Sequence, residues 1–299
     1  MKPDYLLGVN HHLLFPRSMA DDAYHEQTLR EIVTWPEIVV LDGFCAGDGA
    51  QRDREATILR ESGKTIVYNS PLLYLIPGCD PNGTEPAVVE KTRVEALKHL
   101  NAAHAAGARY INIASGQTPG DEDRERAWQG WTDFLTWFGI EAGKRDLIVV
   151  IEPFDSSIGK NLLIGPTADA VRSVEDVRAR GADAVGLMID MGHLPIMGET
   201  FRHALELSRP YLHHVHLGSA VMKDPDHPLY GDNHPPLGIP EGEHDVDDLA
   251  VFLTELVAIG YFECSDQTLT MEMRPYEGKA ERESVAIWIE MLEQAWMAV

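Results

Sequence analysis

The chain is expected to fold as a single-domain α/β protein, a (β/α)8 TIM barrel over residues 1–299. Two observations predict this. Strand-like and helix-like segments alternate eight times with nothing left over, and such alternation builds a parallel sheet. In the second half, four apolar runs each end on a residue with metal-ligand chemistry: LIVVIEPF with Glu152, GLMIDMGH with Asp190, LHHVHLG with His216 and TLTMEMRP with Glu272. Each run suits a strand buried on both faces, with its polar residue where strand gives way to loop. Parallel strands gather such residues only if their carboxyl ends share one rim, as they do in a closed barrel. The alternative, a doubly wound open sheet, usually carries a Gly-rich phosphate turn after its first strand, and VNHHLLFPR is not one.

The first strand is expected over residues 6–10, followed by HHLLFPRS and a helix that Ser18 caps and that runs to about Trp35. The second strand covers 37–43, before a charged helix ending near Gly63, and the third covers 65–69. After a Pro/Gly-rich loop, residues 87–106 form an amphipathic helix stopped by Gly107. Strand four (109–114) leads through Ser115 and Gly116 to a Trp- and Phe-rich helix, 124–143, and strand five is 147–152. Thr167 caps a helix to about Arg180; strand six is 185–190, with a helix over 199–208. Strand seven (212–217) opens a long loop of about 218–244, before a helix over 246–259. Strand eight is 269–273, and a last amphipathic helix starts near Ala280. Trp128, Trp131, Trp137 and Phe138 stand at helical spacing and read as helix-to-barrel packing, or as subunit packing in a homo-oligomer.

Charge narrows the function. Lys and Arg number 25 against 48 Asp and Glu, a net −23. A surface that acidic repels phosphate backbones and anionic lipid, so neither nucleic acid nor a membrane is expected as partner. The N-terminal MKPDYLLGVNHHLLF has too short an apolar stretch for a signal peptide, and no segment has the roughly 18 apolar residues of a membrane span. Cys45, Cys79 and Cys264 are scattered and odd in number, without a CxxC pair; they read as reduced thiols in a cytoplasmic protein.

Three carboxylates and an imidazole on successive strand ends suit a hard-to-borderline divalent cation. Without one, three buried carboxylates side by side would be prohibitively costly. Glu152, Asp190, His216 and Glu272 are therefore the expected ligands of one ion. His214 shares a strand face with His216 and is taken as a substrate contact. Of His11 and His12, which end strand one, one is expected in the mouth; His11 is assigned there, with helix capping or a surface place as the open alternative. Arg274 is the chief cation at the rim and is taken as a substrate contact, with Lys160 and Lys223 nearby.

Strands ending E-P-F, D-x-G-H, H-x-H-x-G and M-E-x-R-P resemble those of the xylose isomerase-like barrel superfamily, nearest to sugar isomerases and 3-epimerases of the D-tagatose 3-epimerase type, with distant kinship to endonuclease IV. The resemblance covers essentially the whole chain. It implies that Glu152, Asp190, His216 and Glu272 bind one ion, Mn²⁺ first, with Mg²⁺, Co²⁺ or Zn²⁺ as alternatives. Glu152 and Glu272 would double as acid/base groups, and His193 would touch a substrate oxygen. The sequence departs from the epimerase pattern in two places: Ile158 stands where a second Glu is usual, and Ser219 follows His216-Leu-Gly in place of Glu. Asp190-x-x-His193 and Asp232-x-His234 match elements of the nuclease branch, but its histidines on strands three and four are replaced by Asn69 and Ser115. Asp232 and His234 are expected to order the long loop as a lid over the mouth, with a merely solvated loop as the alternative.

The implied reaction is proton abstraction beside a carbonyl through an enediolate, on a neutral sugar or sugar derivative. Return of the proton gives epimerisation or aldose–ketose isomerisation. A leaving group β to the carbanion would make the same site a lyase that cleaves a 3-keto-glycoside. A non-catalytic sugar-binding barrel is the rival from another class.

Overall fold

A computed structural model describes residues 2–264 and 266–299; Met1 and Ser265, which the expected 1–299 domain includes, lie outside them. The strands are β1 (Leu6–Asn10), β2 (Val40–Gly43), β3 (Thr65–Asn69), β4 (Tyr110–Ile113), β5 (Ile148–Ile151), β6 (Val185–Asp190), β7 (Leu212–Leu217) and β8 (Thr268–Met271). The helices are α1 (His11–Leu14), α2 (Asp22–Ile32), α3 (Gly49–Glu61), α4 (Pro86–Ala105), α5 (Arg124–Gly143), α6 (Thr167–Arg178), α7 (His193–Met197), α8 (Phe201–Ser208), α9 (Val246–Ala258) and α10 (Glu281–Trp296). The strands close into a barrel in chain order, β1 to β8, the (β/α)8 architecture that the alternation predicts. Two compact units make up the chain: Met1–Asp42 with Ile189–Val299, and Gly43–Met188.

In the first unit β1 lies parallel to β2, with Asn10 opposite Asp42, and parallel to β8, with Gly8 opposite Thr270. β8 in turn pairs with β7, His216 opposite Thr270. Val9, Leu41, Val215, Leu217, Leu269 and Met271 are buried on one face of these strands. The alternate residues share the other face, where polar side chains bond to one another. Gly8 is required there. A Cβ on it would stand 2.4 Å from Thr270 Oγ1 and 2.8 Å from Val40 Cβ. Gly8→Ala is therefore expected to cost about 1–3 kcal/mol by overpacking. Urea unfolding checks this, and a variant as stable as its parent would show that Thr270 moves freely aside.

In the second unit β3 pairs with β4 (Asn69 opposite Asn112), β4 with β5 (Ile113 opposite Ile151) and β5 with β6 (Ile151 opposite Leu187). The aromatic stripe of α5 is helix packing. Trp128 Nε1 donates to Asp176 (3.0 Å) and Trp131 Nε1 to Ser173 (3.1 Å), both on α6.

The structure moves several expected boundaries. Ser18 does not cap α2; it lies in a 3₁₀ turn, and Asp21 is the cap, accepting the Tyr24 N–H at 3.0 Å. Thr167 is the first helical residue after Pro166 rather than a cap. α7 is a short helix that the expected elements did not include; Pro195 fits in its first turn, where a missing N–H costs nothing. β5 stops at Ile151 and β8 at Met271, so Glu152 and Glu272 are each the first residue beyond a strand.

The loop between β7 and α9 is anchored at several points, while residues 223–226 are exposed. Gly231 N–H bonds to Val221 O (2.9 Å), Glu243 N–H to Ala220 O (2.8 Å) and Lys223 Nζ to Gly242 O (2.8 Å), over buried Val221 and Leu237. Among the described residues, no helix is long and apolar enough to cross a membrane.

Candidate metal centre

At the end of β6, Asp190 turns back on its own chain: Oδ1 accepts the Gly192 N–H at 2.6 Å. Gly192 permits this tight turn, since a Cβ there would meet Ser219 N and O at 3.1 Å and Asp190 Oδ1 at 3.2 Å. Oδ2 is left pointing into the first unit's polar face, buried and with no hydrogen-bond partner among the described residues. Around it stand three imidazole nitrogens: His193 Nε2 at 3.5 Å, His234 Nδ1 at 3.8 Å and His216 Nδ1 at 4.0 Å. Those separations are too long for hydrogen bonds and suit donors sharing a cation at bond lengths of about 2.0–2.3 Å.

His216 is wholly buried between two carboxylates, with Nε2 2.8 Å from Asp42 Oδ2 and Nδ1 2.5 Å from Glu272 Oε2. Glu272 Oε1 accepts from Asn10 Nδ2 at 2.7 Å. The Asn10 amide can face only that way, because its oxygen caps α1 by accepting the Leu13 N–H. Burial opposes every charge here. On Asp190 burial wins, despite His193, and pushes the carboxyl up to about 6. On His216 the Glu272 and Asp42 charges outweigh burial and hold the imidazole well above its usual range. On Glu272 the His216 and His234 charges outweigh it in the other direction, well below the carboxylate range. Asp42, facing His214 and His216, is brought down to about 2 against its burial.

The anchored loop adds Asp232 and His234. His234 Nε2 lies 2.7 Å from Asp232 Oδ1, to which His193 Nε2 also approaches at 3.2 Å. His234 adopts a left-handed backbone (φ 49°), held by the Arg274 N–H on its carbonyl at 2.9 Å. Ligand atoms of Asp190, His193 and His234 all lie within 4.8 Å of one another.

In the second unit, Glu152 is buried just beyond β5, and its Oε2 accepts from Asn112 Nδ2 at 3.2 Å. Asn112 is oriented as Asn10 is: its oxygen accepts the Ser70 N–H at 2.9 Å. The following loop wraps around Asp155, which accepts the N–H groups of Ser157, Ile158, Gly159 and Lys160. Lys160 lies over the Phe154 ring at 4.7 Å. Ser115 gives its hydroxyl to the loop backbone, donating to Gly116 O and accepting the Ile164 N–H.

Within the first unit the structure thus brings together Asp190, His193, His216 and Glu272. Three expected substrate contacts lie otherwise. His11 is fully buried away from this cluster, with Nε2 on Thr28 of α2 at 2.9 Å and its ring edge-on to His25. The turn into α1 instead gives the site His12, whose imidazole feels Glu272, His234 and His216 and is lowered by burial to about 4. His214 has no open nitrogen: Nδ1 meets Thr268 Oγ1 at 2.6 Å and Nε2 meets Asp42 at 2.8 Å. Arg274 directs its Nε to Asn233 O (2.9 Å), so it anchors the loop that carries His234. Asn10, Asp42 and Asn112 stand beside the expected residues and were not among them. Asp42 carried the same signal as Asp190, a carboxylate closing an apolar run; the two Asn residues carried none, since their role depends on cross-strand neighbours.

The family described as xylose isomerase-like TIM barrel matches residues 47–295. No curated protein matches the chain. Among solved structures, an AP endonuclease of family 2 from Brucella melitensis is 18% identical, covering 97% of this chain and 99% of that one at a TM-score of 0.71. The IolI protein with a bound zinc atom is 15% identical, covering 97% and 99% at 0.70. D-psicose 3-epimerase with D-tagatose, from Clostridium cellulolyticum H10, is 16% identical, covering 98% and 96% at 0.65. At such identities the likeness carries the fold alone. Because the family match takes in most of the chain, with every strand from β3 to β8, the chain belongs to the xylose isomerase-like TIM barrel family.

Proposed function

We propose that the chain is a metal-dependent sugar isomerase or epimerase acting on a neutral sugar or sugar derivative. The observation that carries this reading is Asp190 Oδ2, a buried carboxylate oxygen with no hydrogen-bond partner among the described residues, ringed by imidazole nitrogens beside Glu272. Glu152, Asp190, His216 through Nδ1, and Glu272 would hold one divalent cation. Their strands are consecutive in the closed barrel, β5 to β8, which supports grouping them. Three oxygens and one nitrogen suit Mn²⁺, with Co²⁺, Zn²⁺ or Mg²⁺ as alternatives. Such an ion would supply Lewis acidity to a substrate carbonyl. Glu152 or Glu272, each with one oxygen steadied by an Asn amide, takes the proton from the neighbouring carbon, and the other returns one from the opposite side.

Asp190, His193 and His234, with Asp232 behind them, support a second reading in which two ions bind. Elemental analysis separates one equivalent from two. The engaged Lys160 and Lys223, together with a net −23, favour a neutral substrate over a phosphorylated one or a nucleic acid. Ser115, whose hydroxyl is spent on the loop backbone, points the same way. Three free thiols suit a reducing cytoplasm.

NMR in D₂O with Mn²⁺-loaded protein and a panel of free and 3-keto sugars tests the proposal. Solvent deuterium on carbon in recovered sugar is expected. Release of an unsaturated product or aglycone would make the protein a lyase, and no exchange from any sugar would leave a binding barrel.

A further inference from the structure

Asp42 is the next-to-last residue of β2, outside the four strands that carry the proposed ligands, and one of its oxygens serves two imidazoles. Oδ2 lies 2.8 Å from both His214 Nε2 and His216 Nε2, while Oδ1 accepts the Thr270 hydroxyl at 2.8 Å. All four side chains are buried without measurable exposure. We propose that Asp42 is the positioning residue that makes His216 a metal ligand through Nδ1, an inference that rests on the metal-site reading above.

An imidazole that donates Nε2–H to a carboxylate carries, when neutral, its lone pair on Nδ1. Nδ1 of His216 is the atom facing Glu272 Oε2 at 2.5 Å and Asp190 Oδ2 at 4.0 Å, two proposed ligands of the same ion. A carboxylate behind a ligating imidazole also fixes the ring plane and raises its basicity. His214 braces the arrangement from below. Its Nδ1 is held by Thr268 Oγ1 at 2.6 Å and its ring meets that of His216 edge-on, with centroids 4.9 Å apart. Thr270 fixes the other oxygen of Asp42, and Gly8 leaves Thr270 the room to do so. Asp42 and the two histidines could also hold an ion among themselves, since their ligand atoms are mutually close. In that case Nε2 would be the ligating atom of His216, and Asp190 and Glu272 would have no part.

The test is Mn²⁺ and Co²⁺ affinity of the full chain by chelator competition, with nitrogen NMR of the histidines in the Zn²⁺-loaded protein. Asp42→Asn is expected to weaken Kd by about 10–100-fold, the usual worth of such a partner. Wild-type His216 should show Nε2–H with the metal on Nδ1. Should Asp42→Asn not fold, Thr270→Val, which removes only the bond to Oδ1, carries the test with an expected loss at the low end of that range. Three results would overturn the inference. If the wild type takes up no metal, the underlying reading fails and this one with it. If the wild type binds while the variant matches it within about threefold, the positioning role alone fails. Metal on Nε2 of His216, with Asp190→Asn binding normally, would assign the ion to Asp42 and the two histidines instead.

Discussion

Glu272→Gln is expected to keep most of its metal and to lose roughly 10²–10⁴ in kcat, the usual worth of an acid/base group. The amide keeps one oxygen for the ion and the shape of the side chain, while its NH2 then faces the Asn10 donor and that one hydrogen bond is lost. It cannot take up a proton. In the metal-free protein His216 and His234 hold Glu272 well below the carboxylate range, so it is ionised at neutral pH, the form a base needs. Steady-state kinetics on a substrate found by deuterium exchange, with the metal content of each preparation measured, decides the matter. Turnover near the wild-type value at full metal loading would refute the acid/base role.

His216→Ala should abolish metal binding and also destabilise the metal-free protein. Removing the imidazole leaves Asp42 and Glu272 buried without their shared counter-charge, a loss of the order of 3–5 kcal/mol. Asp190→Asn should share only the first effect, because burial disfavours the charge of this carboxyl, pushed up to about 6, and a neutral amide relieves that cost. The pH dependence has a definite sign. Since the folded protein raises the His216 pKa, its charge contributes stability that is fully present below the pKa of an unfolded histidine. That stability is lost as pH rises through the folded value. A cation on Nδ1 has to displace the same proton, so Kd should tighten by about tenfold per pH unit until that value is passed. Metal titrations at pH 6, 7 and 8 would show it, and a flat profile would mean that His216 is no ligand. Differential scanning of metal-free His216→Ala and Asp190→Asn separates the stability effects; equal melting temperatures would contradict the buried-counter-charge argument.

The barrel itself was legible because its cause is local and repeated. An apolar run buried on both faces looks the same in every βα unit, and a polar residue closing it falls at the rim by strand geometry alone. Asp190, His216 and Glu272 were found that way, and the first unit brings them together. Helix starts were less legible, since Asp21 and Ser18 are both good caps in isolation and only the path of the chain after β1 chooses between them.

By itself, then, the sequence determined the eight-fold alternation, the strand ends and the residue types offered there. Only the tertiary structure decided which atom of each residue faces which neighbour. His11 and His12 are adjacent and chemically identical, yet the turn from β1 into α1 sends one to Thr28 and the other toward Glu272. His214 and His216 share a strand face, yet Thr268 and Asp42 occupy both nitrogens of the first, while the second keeps Nδ1 turned toward Glu272 and Asp190. Asn10 and Asn112 became amide donors to catalytic candidates only because a helix N-terminus and a loop N–H claim their oxygens. Period-two alternation specifies the face a side chain occupies; the hydrogen-bond partners that fix its rotamer and tautomer come from strands and loops far away in sequence.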